Sequence, residues 1–150
     1  MSENRLKAGA VDDIDRRILD LLRKNARTPF TEMAKIIGVS EGTIRKRVEN
    51  LERTGVIKRY TVEVDPLKLG YNTITILGLD VEPQHFLSVA EELSELDEVM
   101  WVYTSTGDHM IMAEIWTTDT KELSDLISSK IGTIEGVRKL CPAILMERIK

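Results

Sequence analysis

Between Ser40 and Arg59 the chain concentrates side chains suited to nucleic acid: Ser40, Gly42, Thr43, Arg45, Lys46, Arg47, Asn50, Arg53 and Arg59. Arg45 can present two N–H groups to a guanine edge, and Thr43 and Asn50 can read bases or bind phosphate. Lys46, Arg47, Arg53 and Arg59 suit phosphate neutralisation, and Gly42 would let a helix N-terminus approach a duplex closely. A second polar set, Thr104-Ser105-Thr106-Gly107-Asp108-His109, offers glycine-flanked amides and a carboxylate. A small zwitterion needs that pair, the amides for its α-carboxylate and Asp108 for its α-ammonium group. Gly-Asp also favours a tight turn on its own account, which is the other reading of Asp108. A third polar stretch, Ile131 to Val137, contributes Thr133, Ile134 and Glu135.

No catalytic or metal site is expected. The chain has His85, His109 and a single cysteine, Cys141, which give neither zinc-ligand spacing nor a Cys-His pair at short range. No Gly-rich phosphate loop or Gly-x-Ser-x-Gly elbow occurs. Each histidine reads as a surface residue, and Cys141, in an apolar run, as a small core residue. No stretch approaches the roughly 20 apolar residues needed to span a bilayer, and Met1 to Ala10 is polar. A soluble cytoplasmic protein with no membrane partner is the expectation.

The net charge of −4 conceals a division. Residues 1–60 carry 14 Lys and Arg against 9 Asp and Glu, whereas residues 61–150 carry 7 against 16. A basic module that meets phosphate, joined to an acidic one that does not, fits this split.

The elements that would position the basic residues are three helices. Asp12 and Asp15 precede Ile14, Ile18, Leu21 and Leu22, so carboxylates lie at the positive end of a helix with one buried stripe. Arg27-Thr28-Pro29 breaks that helix, and Thr31 is placed to cap a short second one burying Met33, Ala34 and Ile37. Gly38 can take the left-handed conformation that turns the chain sharply. Ser40 then caps a third helix whose buried face reads Ile44, Val48 and Leu51, leaving Gly42, Lys46, Glu49 and Arg53 opposite. Gly55 to Val64 alternates as a strand, ended by Asp65-Pro66, and reads as a wing.

These residues resemble the winged helix-turn-helix of the Lrp/AsnC, or feast/famine, transcription regulators. Gly38-Val39-Ser40, the run Arg45 to Glu52, and Gly55-Val56-Ile57 carry the likeness, and Leu69-Gly70-Tyr71 matches the family's linker. The resemblance extends from about Val11 to Arg148. It implies sequence-specific binding of double-stranded DNA by residues 1–60, with 61–71 as wing strand and linker.

From Asn72 to Lys150 the pattern is β-α-β twice. Strands are expected over Thr73–Val81, Val99–Thr104, Met110–Trp116 and Val137–Ile149. Helices are expected over Pro83–Leu96 and from an N-cap at Thr120. The fold class is therefore α+β, an N-terminal winged helix-turn-helix followed by a C-terminal βαββαβ, ferredoxin-like domain. Both helices belong on one sheet face, yet the strands are apolar on both faces, with Ile74 and Ile76 set against Leu77 and Leu79. A two-fold homodimer through the open face would bury the excess and supply paired recognition helices.

The resemblance further implies assembly of dimers into higher homo-oligomers, an octamer among them. It implies an amino-acid effector where two dimers meet, held by Thr104, Thr106, Gly107, Asp108 and His109 of one loop and Thr133, Ile134 and Glu135 of the other. Where the family usually places an aromatic and a second acid after Gly-Asp, this chain has His109 and Met110. Thr106, Thr133 and Glu135 could hydrogen-bond an amide, which makes glutamine the expected effector. No other cofactor is implied. An architectural DNA-binding protein without an effector, and a haem-pathway enzyme of related fold, are the competing readings.

Overall fold

The structure, a computed structural model, describes residues 11–149; the polar segment Met1 to Ala10 lies outside the described residues. Two compact units part between Glu63 and Val64.

In the first unit, α1 (Asp13–Lys24), α2 (Phe30–Ile37) and α3 (Glu41–Arg53) surround one core. Asp12 caps α1 by accepting from the Asp15 N–H at 2.9 Å while Asp15 accepts from the Asp12 N–H at 3.2 Å. This reciprocal box uses two carboxylates where the helix dipole favours negative charge. Ile18, Met33, Ile37, Ile44, Val48 and Leu51 are buried together, with Ile14, Leu21 and Leu22 packed against them. Gly38 ends α2 at φ 85°, and its N–H donates to the Ala34 carbonyl at 2.8 Å. Ser40 caps α3 through the Thr43 N–H at 3.1 Å.

Three local expectations are corrected. Thr31 does not cap α2, because the helix begins at Phe30 with Pro29 as its N-cap and no side-chain cap bond. Proline's fixed φ, −63° here, sets the entry of the chain without a hydroxyl. Helix α1 stops at Lys24, before Arg27, because the Asn25 side chain accepts from the Arg27 N–H at 3.0 Å and turns the backbone. The wing strand is absent: residues 58–65 adopt no regular secondary structure. Alternation gives a segment two distinct faces, but a strand also needs a neighbour to accept its ladder, and among the described residues none pairs with this stretch.

The second unit has four strands, β1 (Thr73–Val81), β2 (Val99–Thr104), β3 (Ile111–Thr117) and β4 (Val137–Ile144), with α4 (Phe86–Ser94) and α5 (Thr120–Ser129). The sheet order is β2-β3-β1-β4, every neighbouring pair antiparallel, which is the βαββαβ arrangement. Leu77, Leu79, Val81, Ile111, Ala113 and Ile115 face the helices and are buried against Val89, Leu93, Leu123, Leu126 and Ile131. Burying each large aliphatic side chain is worth roughly 1.5–3 kcal/mol.

Four boundaries differ from expectation. Strand β4 ends at Ile144 instead of Ile149: its ladder with β1 closes at Thr75↔Ile144, with one further bond from the Leu145 N–H to the Ile74 carbonyl at 2.8 Å. Strand β3 runs Ile111–Thr117, one residue later than Met110–Trp116. Pro83–His85 forms a 3-10 turn before α4. Asp119, not Thr120, caps α5, accepting from the Glu122 N–H at 2.8 Å.

The alternate residues of the strands form the second sheet face. Ile74, Ile76 and Gly78 of β1 stand beside Met112, Glu114 and Trp116 of β3, and Trp101 and Tyr103 of β2 continue the row opposite Glu114 and Met112. Trp101 and Tyr103 stack with ring centroids 6.3 Å apart yet remain 43% and 58% exposed.

Candidate functional site

Helix α3 is held by its apolar underside and displays a polar face. Ile44, Val48 and Leu51 are buried at i, i+4 and i+7, while Gly42, Arg45, Lys46, Glu49, Asn50 and Arg53 are exposed. A Cβ added at Gly42 would meet only the Ser40 hydroxyl at 3.9 Å, so the space before the helix N-terminus is open. Ser40 and Thr43 are joined through their hydroxyls at 2.9 Å.

The cations on this helix occupy distinct settings. Arg45, 54% exposed, pairs with Glu41 at 2.8 Å and lies 5.1 Å from the Phe30 ring centroid. A cation over an aromatic face keeps its hydrogen-bonding edge available while losing conformational freedom. Arg53 donates to Asn50 Oδ1 at 2.6 Å, so two residues with separate expected roles act as one unit. Lys46 is exposed, as is Arg59 in the stretch after α3.

Arg47 is placed differently from the expectation that it neutralises phosphate. Its Nη1 donates to Asp12 Oδ2 at 2.6 Å and Asp15 Oδ1 at 2.9 Å, and its side chain is only 28% exposed. The guanidinium thus ties the middle of α3 to the N-terminus of α1. The Asp15 N–H and then Arg47 hold the Asp12 carboxyl below its usual value, and the two carboxylates raise Arg47. Arg17 escaped sequence reasoning: it donates to the Ile36 and Ile37 carbonyls at 3.0 and 3.3 Å, satisfying the end of α2. Its 19-residue separation from that end leaves no local signal.

Tyr60 anchors the backbone beyond α3, its hydroxyl donating to Glu52 at 2.7 Å. Partial burial and that carboxylate push the hydroxyl up to about 12. An open groove of about 1040 Å³ separates α1 from Val56–Glu63 and includes Arg16, Arg23, Arg27 and Arg59.

The two expected ligand loops lie at one end of the sheet, where β1 ends beside the starts of β3 and β4. The 3-10 turn Pro83–His85 leaves β1 at this end, and the Glu82 N–H donates to the Gly136 carbonyl at 2.8 Å. In the first loop Thr104, Thr106, Gly107 and Asp108 are exposed. The loop closes on itself, the Ser105 N–H donating to the Met110 carbonyl at 2.9 Å and the Ser105 hydroxyl to the His109 carbonyl. In the second, Glu135 and Thr133 are exposed and Ile134 half-buried. The Thr133 hydroxyl donates to the Lys130 carbonyl at 2.7 Å, so it can offer a ligand only an acceptor.

The histidines are not free surface residues. The His109 ring covers Gly78, where an added Cβ would overlap it, and His85 covers Gly136 in the same way. His109 Nδ1 lies 3.0 Å from Asp80 Oδ1. Asp80 went unnoticed in the sequence, although a lone glycine within a strand, Gly78, signals that something approaches the backbone there. Among the described residues no group of three His, Cys, Asp or Glu could hold a metal ion, and no helix is long and apolar enough to cross a membrane.

A capped recognition helix in a three-helix unit, linked to a βαββαβ unit with polar loops at one sheet end, defines a DNA-binding regulator with a ligand domain. Residues 11–52 match the AsnC-type helix-turn-helix domain, and residues 75–150 match the Lrp/AsnC ligand binding domain. The transcriptional regulator LrpA of Pyrococcus abyssi is 55% identical over 93% of this chain and 99% of its own length. The E. coli AsnC structure aligns with a TM-score of 0.83 at 32% identity, over 93% of this chain and 94% of that one. A transcriptional regulator from Neisseria meningitidis, solved as a complex with L-Met, has a TM-score of 0.86 over 93% of this chain and 92% of that one; at 19% identity this is a likeness of fold. The chain belongs to the Lrp/AsnC family of transcription regulators. Its relatives are regulators and not enzymes, and the catalytic alternative is set aside with them.

Proposed function

We propose that the chain is a sequence-specific regulator that reads its operator with α3 and answers to a small amino acid. The exposed polar face of α3, fixed from beneath by Ile44, Val48 and Leu51, is the observation that carries this reading. Gly42, Thr43, Arg45 and the Asn50–Arg53 pair meet the major groove, while Ser40 at the helix N-terminus, Lys46 and Arg59 hold phosphates. Arg47 braces α3 from within. Two copies join through the open sheet face that carries Ile74, Ile76, Met112, Trp101 and Tyr103, and so present two recognition helices to a roughly palindromic site. Dimers assemble further, to an octamer by family resemblance, and the regulator works in the cytoplasm.

The effector binds where the loops Thr104–His109 and Thr133–Glu135 of neighbouring dimers meet. Backbone amides around Gly107 take its carboxylate and Asp108 its ammonium group, and a neutral polar side chain such as that of glutamine fits Thr106 and Glu135. Effector and DNA are linked only if the effector binds one assembly or domain spacing better than another. Thermal-shift screening of the twenty amino acids tests this, since a ligand of the folded state raises the melting temperature. Stabilisation that Asp108→Ala abolishes while DNA binding persists is the expected result. No response to any amino acid, with DNA compaction of modest sequence preference, would identify an architectural protein instead.

A further inference from the structure

We infer that His109 is a positioning residue: it latches the Thr104–Met110 loop onto strand β1 and does not itself contact the effector. The inference rests on the proposed effector loop and adds how that loop is held. Three contacts converge on one residue at the loop's end. The imidazole lies over Gly78, the one β1 position on the second sheet face with no side chain. Its Nδ1 sits 3.0 Å from Asp80 Oδ1, two residues farther along the same face. Its own carbonyl accepts from the Ser105 hydroxyl across the loop, and the next residue, Met110, donates its N–H to the Leu79 carbonyl at 3.1 Å.

Each part has a physical consequence. A carboxylate only accepts hydrogen bonds, so Nδ1 must carry the proton that it shares with Asp80, and Nε2 is left as an acceptor when the ring is neutral. Because Gly78 has no Cβ, the ring can rest on the backbone of β1. The imidazole is thereby turned toward the sheet, while Asp108 beside it remains exposed. Holding the loop's last residue in place fixes the amides around Gly107 before a ligand arrives, which removes ordering entropy from binding. At the second loop the roles are exchanged, Gly136 of the loop lying beneath His85 of the turn that leaves β1.

The test uses the full chain, four single variants and one double variant. His109→Ala and Asp80→Ala remove the two halves of the latch, Gly78→Ala displaces the ring without touching either, and Asp80→Asn restores an acceptor. Amide hydrogen exchange at Ser105 and Met110 should quicken about tenfold in the first three and return toward the starting rate in Asp80→Asn, the scale of one lost hydrogen bond to a charged group. The ¹⁵N shifts of the His109 ring should report Nδ1–H in the original chain and lose that signature in Asp80→Ala. With each of the twenty amino acids as probe, His109→Ala and Asp80→Ala should weaken the same ligand about tenfold, their combination no further, with the order of preference unchanged. A changed order of preference in His109→Ala with Asp80→Ala silent would make His109 a ligand contact and overturn the latch. If no amino acid binds even the original chain, the effector reading fails. The latch is then decided by exchange alone: acceleration upholds it and unchanged rates overturn it.

Discussion

Helix α3 and the Thr104–Met110 loop both expose polar groups, but they are made rigid by different means. In α3 the backbone hydrogen bonds with itself, three buried aliphatics face inward, and Ser40 closes the N-terminus, so most of the positioning lies within 14 residues of sequence. The loop has no ladder of its own. It depends on contacts with Gly78, Leu79 and Asp80, which lie some 30 residues earlier in the chain. A regular element can carry its recognition chemistry in its own periodicity, whereas an irregular one borrows order from a scaffold. Substitutions should therefore act locally on α3 and at a distance on the loop.

The largest expected effect comes from removing the scaffold. Ile115→Ala empties a fully buried position under the sheet and should cost about 2–5 kcal/mol, read by urea denaturation. If the comparison holds, amino-acid binding weakens with it while the first unit, with a separate core, keeps its helical signal. Simultaneous loss of both units would show that their stabilities are coupled and overturn this separation.

Next come two of the exposed cations of α3, Arg45 and Lys46. Arg45→Ala should cost about 1–3 kcal/mol of discrimination between operator and random DNA, whereas Lys46→Ala should weaken both equally and lower the salt slope by about 1. Competition binding over a salt series distinguishes them. Equal weakening by both variants would place Arg45 on phosphate.

Thr75→Val should raise the stability of the second unit by about 1 kcal/mol. Among the described residues its hydroxyl is buried without a hydrogen-bond partner, and valine keeps the branched shape that suits a strand. A loss of stability would mean that the hydroxyl has a partner in solution.

The Arg47 tie should have the smallest effect, because the carboxylate of Asp12 is solvent-exposed. Arg47→Ala should lower the melting temperature of the first unit and leave the salt slope of DNA binding unchanged. The pH dependence has a definite sign. Asp12 is held below its ordinary 3.8, so its contribution is complete above the usual carboxylate range and disappears as pH falls through the lowered value. Acid unfolding of the first unit should begin at higher pH in Arg47→Ala, and an unchanged acid limb would contradict the tie.

These cases also define what sequence alone could reveal. The helices of both units, the four strands and the exposed face of α3 follow from periodicity, because burial of one stripe demands it. Arg47 has the type and neighbours of a phosphate ligand; the carboxylates it bonds in the fold, Asp12 and Asp15, are more than 30 residues away. The alternating run after Gly55 showed strand character without showing whether a partner strand exists. His109 and Asp80 could be joined only through the register of β1 with β3, although Gly78 marked where a close contact falls.

Whether α3 enters a DNA groove is decided by affinity measured against salt. The full chain should prefer a fragment selected from random sequence over bulk DNA by about 10³-fold or more, with affinity falling steeply between about 50 and 200 mM salt. Arg45→Ala should cut that preference by about 10- to 100-fold. Salt-independent binding, or a preference that survives both Arg45→Ala and Lys46→Ala, would contradict the account.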